Sequence, residues 1–234
     1  MLDHNVDPSA QDLFGNAGLI AAAGAGQADI VDMLLSAKAN VNAQTQAGHT
    51  ALMGAVEKGD MRIVQALLKA GANVNAKNNK NESALFPAVQ TGNLRLVEAL
   101  LLAGAETNIA NSRPMTSNDS GYTPLMYAAR HGLVATDGPW VEIVRVLLAK
   151  GADANLRSHH GATALSIAER NGYADIIDAL RSAGARKETV YTSLTIDDAL
   201  IKASKNGDLS KVRQLFTEGA RLSTQISFAG RYLV

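Results

Sequence analysis

The stretch Gly121-Tyr122-Thr123-Pro124-Leu125-Met126-Tyr127-Ala128-Ala129-Arg130-His131-Gly132 reads as one short helix with both ends marked. Thr123 fits an N-cap, its hydroxyl accepting from an orphan amide of the first turn. Pro124 then occupies the first helical position, where a missing N–H costs nothing. Leu125, Ala128 and Ala129 share one face at i, i+3, i+4. Gly132 suits the left-handed position just past a helix end. A second helix follows, with Ile143, Val144, Leu147 and Leu148 on its buried side. Gly151-Ala152 closes it, and Asp153-Ala154-Asn155 leads into a turn.

The same marks recur along the chain. The helix-ending glycine stands at Gly26, Gly59, Gly92, Gly132, Gly172 and Gly207, at spacings of 33, 33, 40, 40 and 35 residues. Thr50, Ser83, Thr163 and Asp198 take the cap position, and Leu52, Leu85, Leu165 and Leu200 the first core leucine. Ile63-Val64, Leu96-Val97 and Ile176-Ile177 open the second helix. Leu67-Leu68, Leu100-Leu101, Leu180 and Leu215-Phe216 finish it. A unit of about 33 residues cannot bury its own apolar face, so the period implies a stacked array. Small alanines on the first helix let neighbouring units approach closely.

This pattern resembles the ankyrin-repeat family. The family's marks are Gly-x-Thr-Pro-Leu-His, then Ile-Val, Leu-Leu and Gly-Ala-Asp-Val-Asn. They stand here as Gly48-His49-Thr50-Ala51-Leu52, Ile63-Val64, Leu67-Leu68 and Gly71-Ala72-Asn73-Val74-Asn75, and again as Gly161-Ala162-Thr163-Ala164-Leu165. The resemblance implies an all-α solenoid of about six helix-turn-helix units with short β-hairpin fingers. First helices and fingers would line a concave groove, and second helices would form the back. The units fall at about 12–44, 45–77, 78–110, 111–157, 158–190 and 191–222, after an N-terminal arm (1–11) and before a C-terminal tail (223–234). Two departures stand out. The usual His after Leu is replaced by Met53, Phe86, Met126 and Ser166, and the first and sixth units lack the Gly-x-Thr-Pro-Leu opening on which the finger depends.

Both long spacings belong to the fourth unit. Ten residues, Asn111 to Ser120, stand where a regular unit has three, and ten more, Leu133 to Glu142, stand where three are regular. Each is a seven-residue insertion, and the two bracket one helix. The second holds Asp137-Gly138-Pro139-Trp140 with the only Trp. Trp140 reads either as an interface anchor or as part of a cap, with Asp137 or Gly138 as N-cap and Pro139 at the first helical position. The first unit runs Ala17 to Gly26 without a charge; residues 1–13, through Leu2, Val6 and Leu13, are expected to cover its outer side.

Composition closes off several functions. Lys+Arg and Asp+Glu number 22 each, so no basic field holds nucleic acid or anionic lipid. Aromatics are 4%, too few for a base-stacking platform. The absence of Cys excludes structural disulfides and Cys-based zinc sites. Met1 to Phe14 lacks a signal-peptide pattern, and no apolar run reaches the roughly 18 residues of a membrane span, which points to a cytoplasmic protein. His159-His160 lacks a nearby carboxylate or Cys to complete a metal site. Asp197-Asp198 sits where a helix N-terminus favours negative charge. Gly24-Ala25-Gly26 lacks the third Gly of a dinucleotide loop. No catalytic, metal or cofactor site is expected.

The function expected is a protein–protein interaction scaffold, its physical basis a pre-organised groove whose ordering entropy is already spent. The candidate partner-binding residues are Gln46, His49, Glu57 and Lys58 in unit two, and Lys80, Glu82 and Gln90 in unit three. Unit four adds Tyr122, Tyr127, Arg130, His131 and Trp140, and unit five His159, His160, Arg170 and Asn171. Two alternatives stay open: an inhibitory or regulatory, immunity-like subunit that uses the enlarged unit four, and structural self-assembly of an otherwise monomeric chain through the bare first unit.

Overall fold

The structure, a computed structural model, describes residues 7–131, 138–186, 200, 203–204 and 208–217. Two compact units divide the chain, residues 1–186 and 187–234. Gly132, Gly207, Asp198, Leu2, Val6 and the 223–234 tail lie outside the described residues, as does most of the sixth unit.

Among the described residues of the first compact unit ten helices pair off: α1 (Gly18–Ala25) with α2 (Ala28–Ser36), α3 (Ala51–Lys58) with α4 (Met61–Lys69), α5 (Leu85–Gln90) with α6 (Leu94–Leu102), α7 (Pro124–His131) with α8 (Trp140–Ala149), and α9 (Ala164–Asn171) with α10 (Ala174–Ser182). The first helices touch in the order α1, α3, α5, α7, α9, and among the second helices α2 meets α4 while α8 meets both α6 and α10. One continuous apolar core runs through the stack, with Leu52, Leu67, Leu85, Leu100, Leu125 and Leu147 fully buried. Small residues permit this packing: a Cβ added at Gly54 would stand 3.2 Å from the Gly24 backbone of the preceding helix. In the second compact unit residues 209–217 are helical, and the Asp208 carboxylate accepts from the Lys211 amide at 2.9 Å.

Of the expected caps, those of Thr50, Thr123 and Thr163 form, that of Ser83 does not, and Asp198 lies outside the described residues. The Thr50, Thr123 and Thr163 hydroxyls accept from the amides of Met53, Met126 and Ser166 at 3.2, 3.4 and 3.1 Å, each contact of a kind worth about 1 kcal/mol. Ser166, standing at the usual His position, donates this amide and its Oγ accepts from the Thr163 amide, making a capping box. Met53, Phe86 and Met126 at that position are core residues. Ser83 is the exception: it is buried, and its Oγ has no partner among the described residues. The cause lies four residues on. The amides of Gly54, Tyr127 and Ile167 bond to the carbonyl of their cap residue, but the equivalent residue in unit three is Pro87, which has no N–H. The Ser83 carbonyl takes the Phe86 amide instead, at 3.1 Å. The start of α5 tightens and Ser83 loses its capping role.

The fingers of units one and two are tight turns closed by isolated bridges, Gln11 to Ala17 and Gln44 to Thr50, and among the described residues no extended hairpin strand forms. The first unit forms its finger without the family opening: the Asp12 amide donates to the Asn16 carbonyl at 3.1 Å and the Asp12 carboxylate accepts from the Phe14 and Asn16 amides. Adjacent fingers are joined by one backbone bond each, from Gln46 to Phe14, Asn79 to Ala47, Ser112 to Lys80 and His159 to Ser120. Leu13 does not cover the first unit; it is 89% exposed at this finger tip, because the turn that seats Gly15 directs its side chain outward.

At the opposite edge of each unit an asparagine ladder sets the register. Asn42, Asn75, Asn108 and Asn155 each donate to the glycine carbonyl of the following unit, at Gly71, Gly104, Gly151 and Gly184. Each also accepts an amide two residues beyond that glycine. The donor bonds span 29 residues in regular units and 43 across the fourth, a difference of 14. That equals the two seven-residue insertions, so the insertions leave the stacking register intact. Ser9 takes the Asn role for the first unit, accepting from the Asn40 amide at 2.9 Å.

Candidate partner-binding surface

The first insertion of unit four is part of a finger, and the backbone shows where the extra residues go. A regular finger closes with an amide donating to a carbonyl four residues on, as from Thr45 to His49 or Ser158 to Ala162. In unit four the Asn111 amide donates to the Tyr122 carbonyl, eleven residues on, at 2.9 Å. The seven extra residues therefore all lie within the finger. The Asn111 side chain pins the far end, its Oδ1 accepting from the amides of Gly121 and Tyr122 at 2.8 and 3.3 Å.

The enlarged finger has a polar core of its own. The Arg113 Nε donates to Glu82 at 2.9 Å and its Nη1 to Asp119 at 3.0 Å, a two-acid clamp spanning units three and four. The Tyr127 hydroxyl donates to Asp119 at 2.6 Å, Asn111 donates to that hydroxyl at 3.2 Å, and Ser117 donates to the other Asp119 oxygen. Asn111, Asp119, Ser120, Glu82 and Tyr127 are all buried. Buried polar groups are tolerable when each is paired, and here each is. Burial alone would raise the Asp119 pKa. The hydrogen bonds from Ser117 and Tyr127 and the Arg113 charge outweigh it and hold the carboxyl below the ordinary value. Burial, then the bond to Asp119, pushes the Tyr127 phenol well above its ordinary range.

The fifth finger ties the lobe down from the other side. The Ser120 hydroxyl donates to the Arg113 carbonyl at 2.5 Å, so it accepts from His159 Nδ1 at 2.8 Å. His160 Nε2 donates to the Ser117 carbonyl at 2.9 Å. These bonds assign a proton to Nδ1 of His159 and Nε2 of His160. They direct both rings to the finger of unit four and not to a shared metal. Among the described residues no group of three or more His, Cys, Asp or Glu is placed to hold a metal ion, and no helix is long and apolar enough to cross a membrane.

Several residues expected to face a partner are turned inward. Tyr127 is 2% exposed and Glu82 7%, both consumed by the lobe's core. The Tyr127 ring packs edge-on to Phe86 and Tyr122. His131 is half-buried, stacked on Tyr127 at 6.5 Å and against Trp140 at 5.6 Å; burial and then the Arg130 charge lower its pKa. Trp140 starts α8, with Pro139 before it as the N-cap residue, while Asp137 lies outside the described residues. Its indole rests on Gly92 of unit three, where an added Cβ would stand 3.0 Å from the ring. Trp140 is therefore an inter-unit packing residue.

The rest divide into paired and open groups. His49 lies 3.6 Å from Glu57, and the Gln46 amide donates to the Leu13 carbonyl at 2.7 Å. Lys58 lays its stem over Gly26. Lys80 is exposed and Gln90 half-buried. Tyr122, Arg130, His160, Arg170 and Asn171 converge. With Asn118, Ala162 and Ile167 they line one cavity of about 360 Å3 between units four and five. Asn118 was not among the expected residues, and neither were Arg113 and Asp119 as organisers of the lobe. Nothing in a loop composition distinguishes the residue that closes a turn from the one that faces solvent.

A family model for ankyrin repeats in three copies matches the chain in four overlapping placements, at residues 1–78, 18–111, 55–137 and 85–191. No curated protein matches it.

Proposed function

Because the chain belongs to the ankyrin-repeat family, whose members are generally protein–protein interaction modules and typically non-catalytic, we propose that it binds a partner protein along the side formed by fingers and first helices, with the enlarged finger of unit four as the focus of contact. The observation that carries this reading is the internal order of that finger. A drifting surface loop has no need of a buried Asp119–Tyr127 pair clamped by a half-buried Arg113. A finger that must present Asn118 and the neighbouring cleft in one geometry does, since pre-organisation lowers the entropic cost of binding.

The test is capture of partners on the immobilised full chain, compared between two sets of substitutions to Ala. One set is Lys58, Lys80, Arg130 and Arg170 on the finger side; the other is Gln65, Glu98, Arg145 and Asp178, exposed on the second helices. A partner lost with the first set and retained with the second supports the proposal. A partner lost only with the second set would overturn it.

A further inference from the structure

Arg130 and Arg170 lie in the last turns of α7 and α9. A cation near a helix C-terminus is expected from the helix dipole alone, so neither residue is informative singly. Their convergence is. Both are exposed, both line the cavity between units four and five, and neither has a carboxylate partner among the described residues. The neighbouring acids are engaged elsewhere: Glu169 accepts from Arg181 at 2.8 Å, and Asp119 is held by Arg113 and Tyr127. No Asp or Glu lines the cavity, whose remaining polar lining is Asn118, Tyr122, His160 and Asn171.

Tyr122 supplies an independent observation. It is 5% exposed, yet no protein group among the described residues hydrogen-bonds its hydroxyl, and the residue lines the cavity. The ring is buried while the hydroxyl is not, since Ser83 Oγ alone is a buried side-chain N or O atom without a partner among the described residues. Unlike the Tyr127 hydroxyl, which has two protein partners, that of Tyr122 is the part of the side chain that opens into the cavity. The Tyr122 phenol instead faces a site where both guanidinium charges are felt. Burial raises its pKa, and Arg130 and then Arg170 work against that rise. The hydroxyl stays protonated and able to donate.

We infer that this cleft receives a carboxylate side chain from an acidic segment of the partner protein, with Arg130 and Arg170 as the paired cations and the Tyr122 hydroxyl as a neutral donor at its floor. The inference rests on the partner-binding reading above and specifies its chemistry. Arginine suits the task through its forked donors, which match the two carboxylate oxygens. The cavity is at the small end for ligand sites, and it fits one or two side chains of an extended segment. Charge complementarity selects an acidic occupant over a basic or apolar one: two unpaired cations repel the former and are desolvated at a cost by the latter.

The experiment is selection of a phage-displayed random dodecapeptide library on the full chain, followed by anisotropy titration of the best peptide with a fluorescent label. Enrichment in Asp and Glu is expected. Exchanging the acids of that peptide for Gln or Asn should weaken binding at least tenfold, as should the double variant R130Q/R170Q. The R130K/R170K variant should recover part of the loss. Tyr122→Phe should weaken binding severalfold without lowering thermal stability. Equal binding of the acidic and amide peptides, or equal binding by wild type and R130Q/R170Q, would overturn the inference. So would a phosphoserine peptide that binds tenfold more tightly than its Glu counterpart, since the site would then be one for phosphate esters. The two proposals fail differently. Neutral peptides that are lost on Lys58 and Lys80 substitution sink the carboxylate site and leave finger-side binding standing. Peptides lost only on substitution of the second helices, or no enrichment at all, sink both.

Discussion

Replacing Tyr127 by Phe should cost about 2–4 kcal/mol of stability at neutral pH, although it removes a single oxygen. That oxygen donates to Asp119 at 2.6 Å and accepts from Asn111 at 3.2 Å, in a site where all three residues are buried. A hydrogen bond to a charged group is worth roughly 1.5–3 kcal/mol, and leaving the Asn111 amide unpaired adds about 1–3 kcal/mol before local relaxation. The ring keeps its contacts with Phe86 and Tyr122, so no cavity term enters. Tyr122→Phe is the control. It removes a hydroxyl with no partner among the described residues and should change stability by less than about 0.5 kcal/mol, the ordinary range for a substitution that breaks nothing. Urea unfolding followed by circular dichroism reads both. With a slope of about 2 kcal/mol/M, the Tyr127 variant should lose about 1–2 M in midpoint. Hydrogen exchange should quicken first at the amides of Asn111, Ser112, Ser117 and Ser120, which the lobe's backbone bonds protect. Equal midpoints for the two Phe variants would refute the view that the insertion is held by its own polar core.

The same cluster fixes an acid limit. The Asp119 pKa is lowered in the folded chain, so its contribution is fully present above the ordinary carboxylate value of 3.8 and lost as pH falls through the depressed value. The stability gap between wild type and Asp119→Asn, measured by urea unfolding from pH 7 to pH 2.5, should be constant above about pH 5 and shrink below pH 4; a pH-independent gap would contradict the assignment. Gly92→Ala should destabilise by about 1–3 kcal/mol, because Gly92 has φ +67° and a Cβ there would meet the Trp140 ring at 3.0 Å. In a Trp140→Ala background the same substitution should cost only its backbone share, near 1 kcal/mol, as read by a double-mutant cycle. Asn108→Ala should cost about 1–2 kcal/mol through loss of its bonds to Gly151 and Asp153, and exchange should rise at the Asp153 amide. Leu100→Ala, fully buried in α6, should cost about 2–5 kcal/mol in thermal or chemical unfolding.

What the sequence determined by itself was the array: the period, the paired helices, the threonine caps and the length of each insertion. These are local backbone signals, and repetition every 33 residues reinforces each one. The doubling of Gly and Asn marks even carries the ladder register, since Asn42, Asn75, Asn108 and Asn155 differ from one another only by whole units and the two insertions. Pro87 is a case where a local signal was available and its consequence was tertiary in appearance: the missing N–H at that one position withdraws Ser83 from capping. The tertiary structure alone decided which side chains of the enlarged unit face outward. Helical periodicity puts Tyr127 and Arg130 near the groove but says nothing about what lies on top of them. A lobe folded over α7 covers Tyr127, and an acid from the previous unit, Glu82, is drawn in to Arg113 from 31 residues away. The pairing of Ser120 with His159 spans 39 residues. Such contacts depend on how neighbouring units stack, and a single unit's sequence holds no record of the side chains its neighbour will bring.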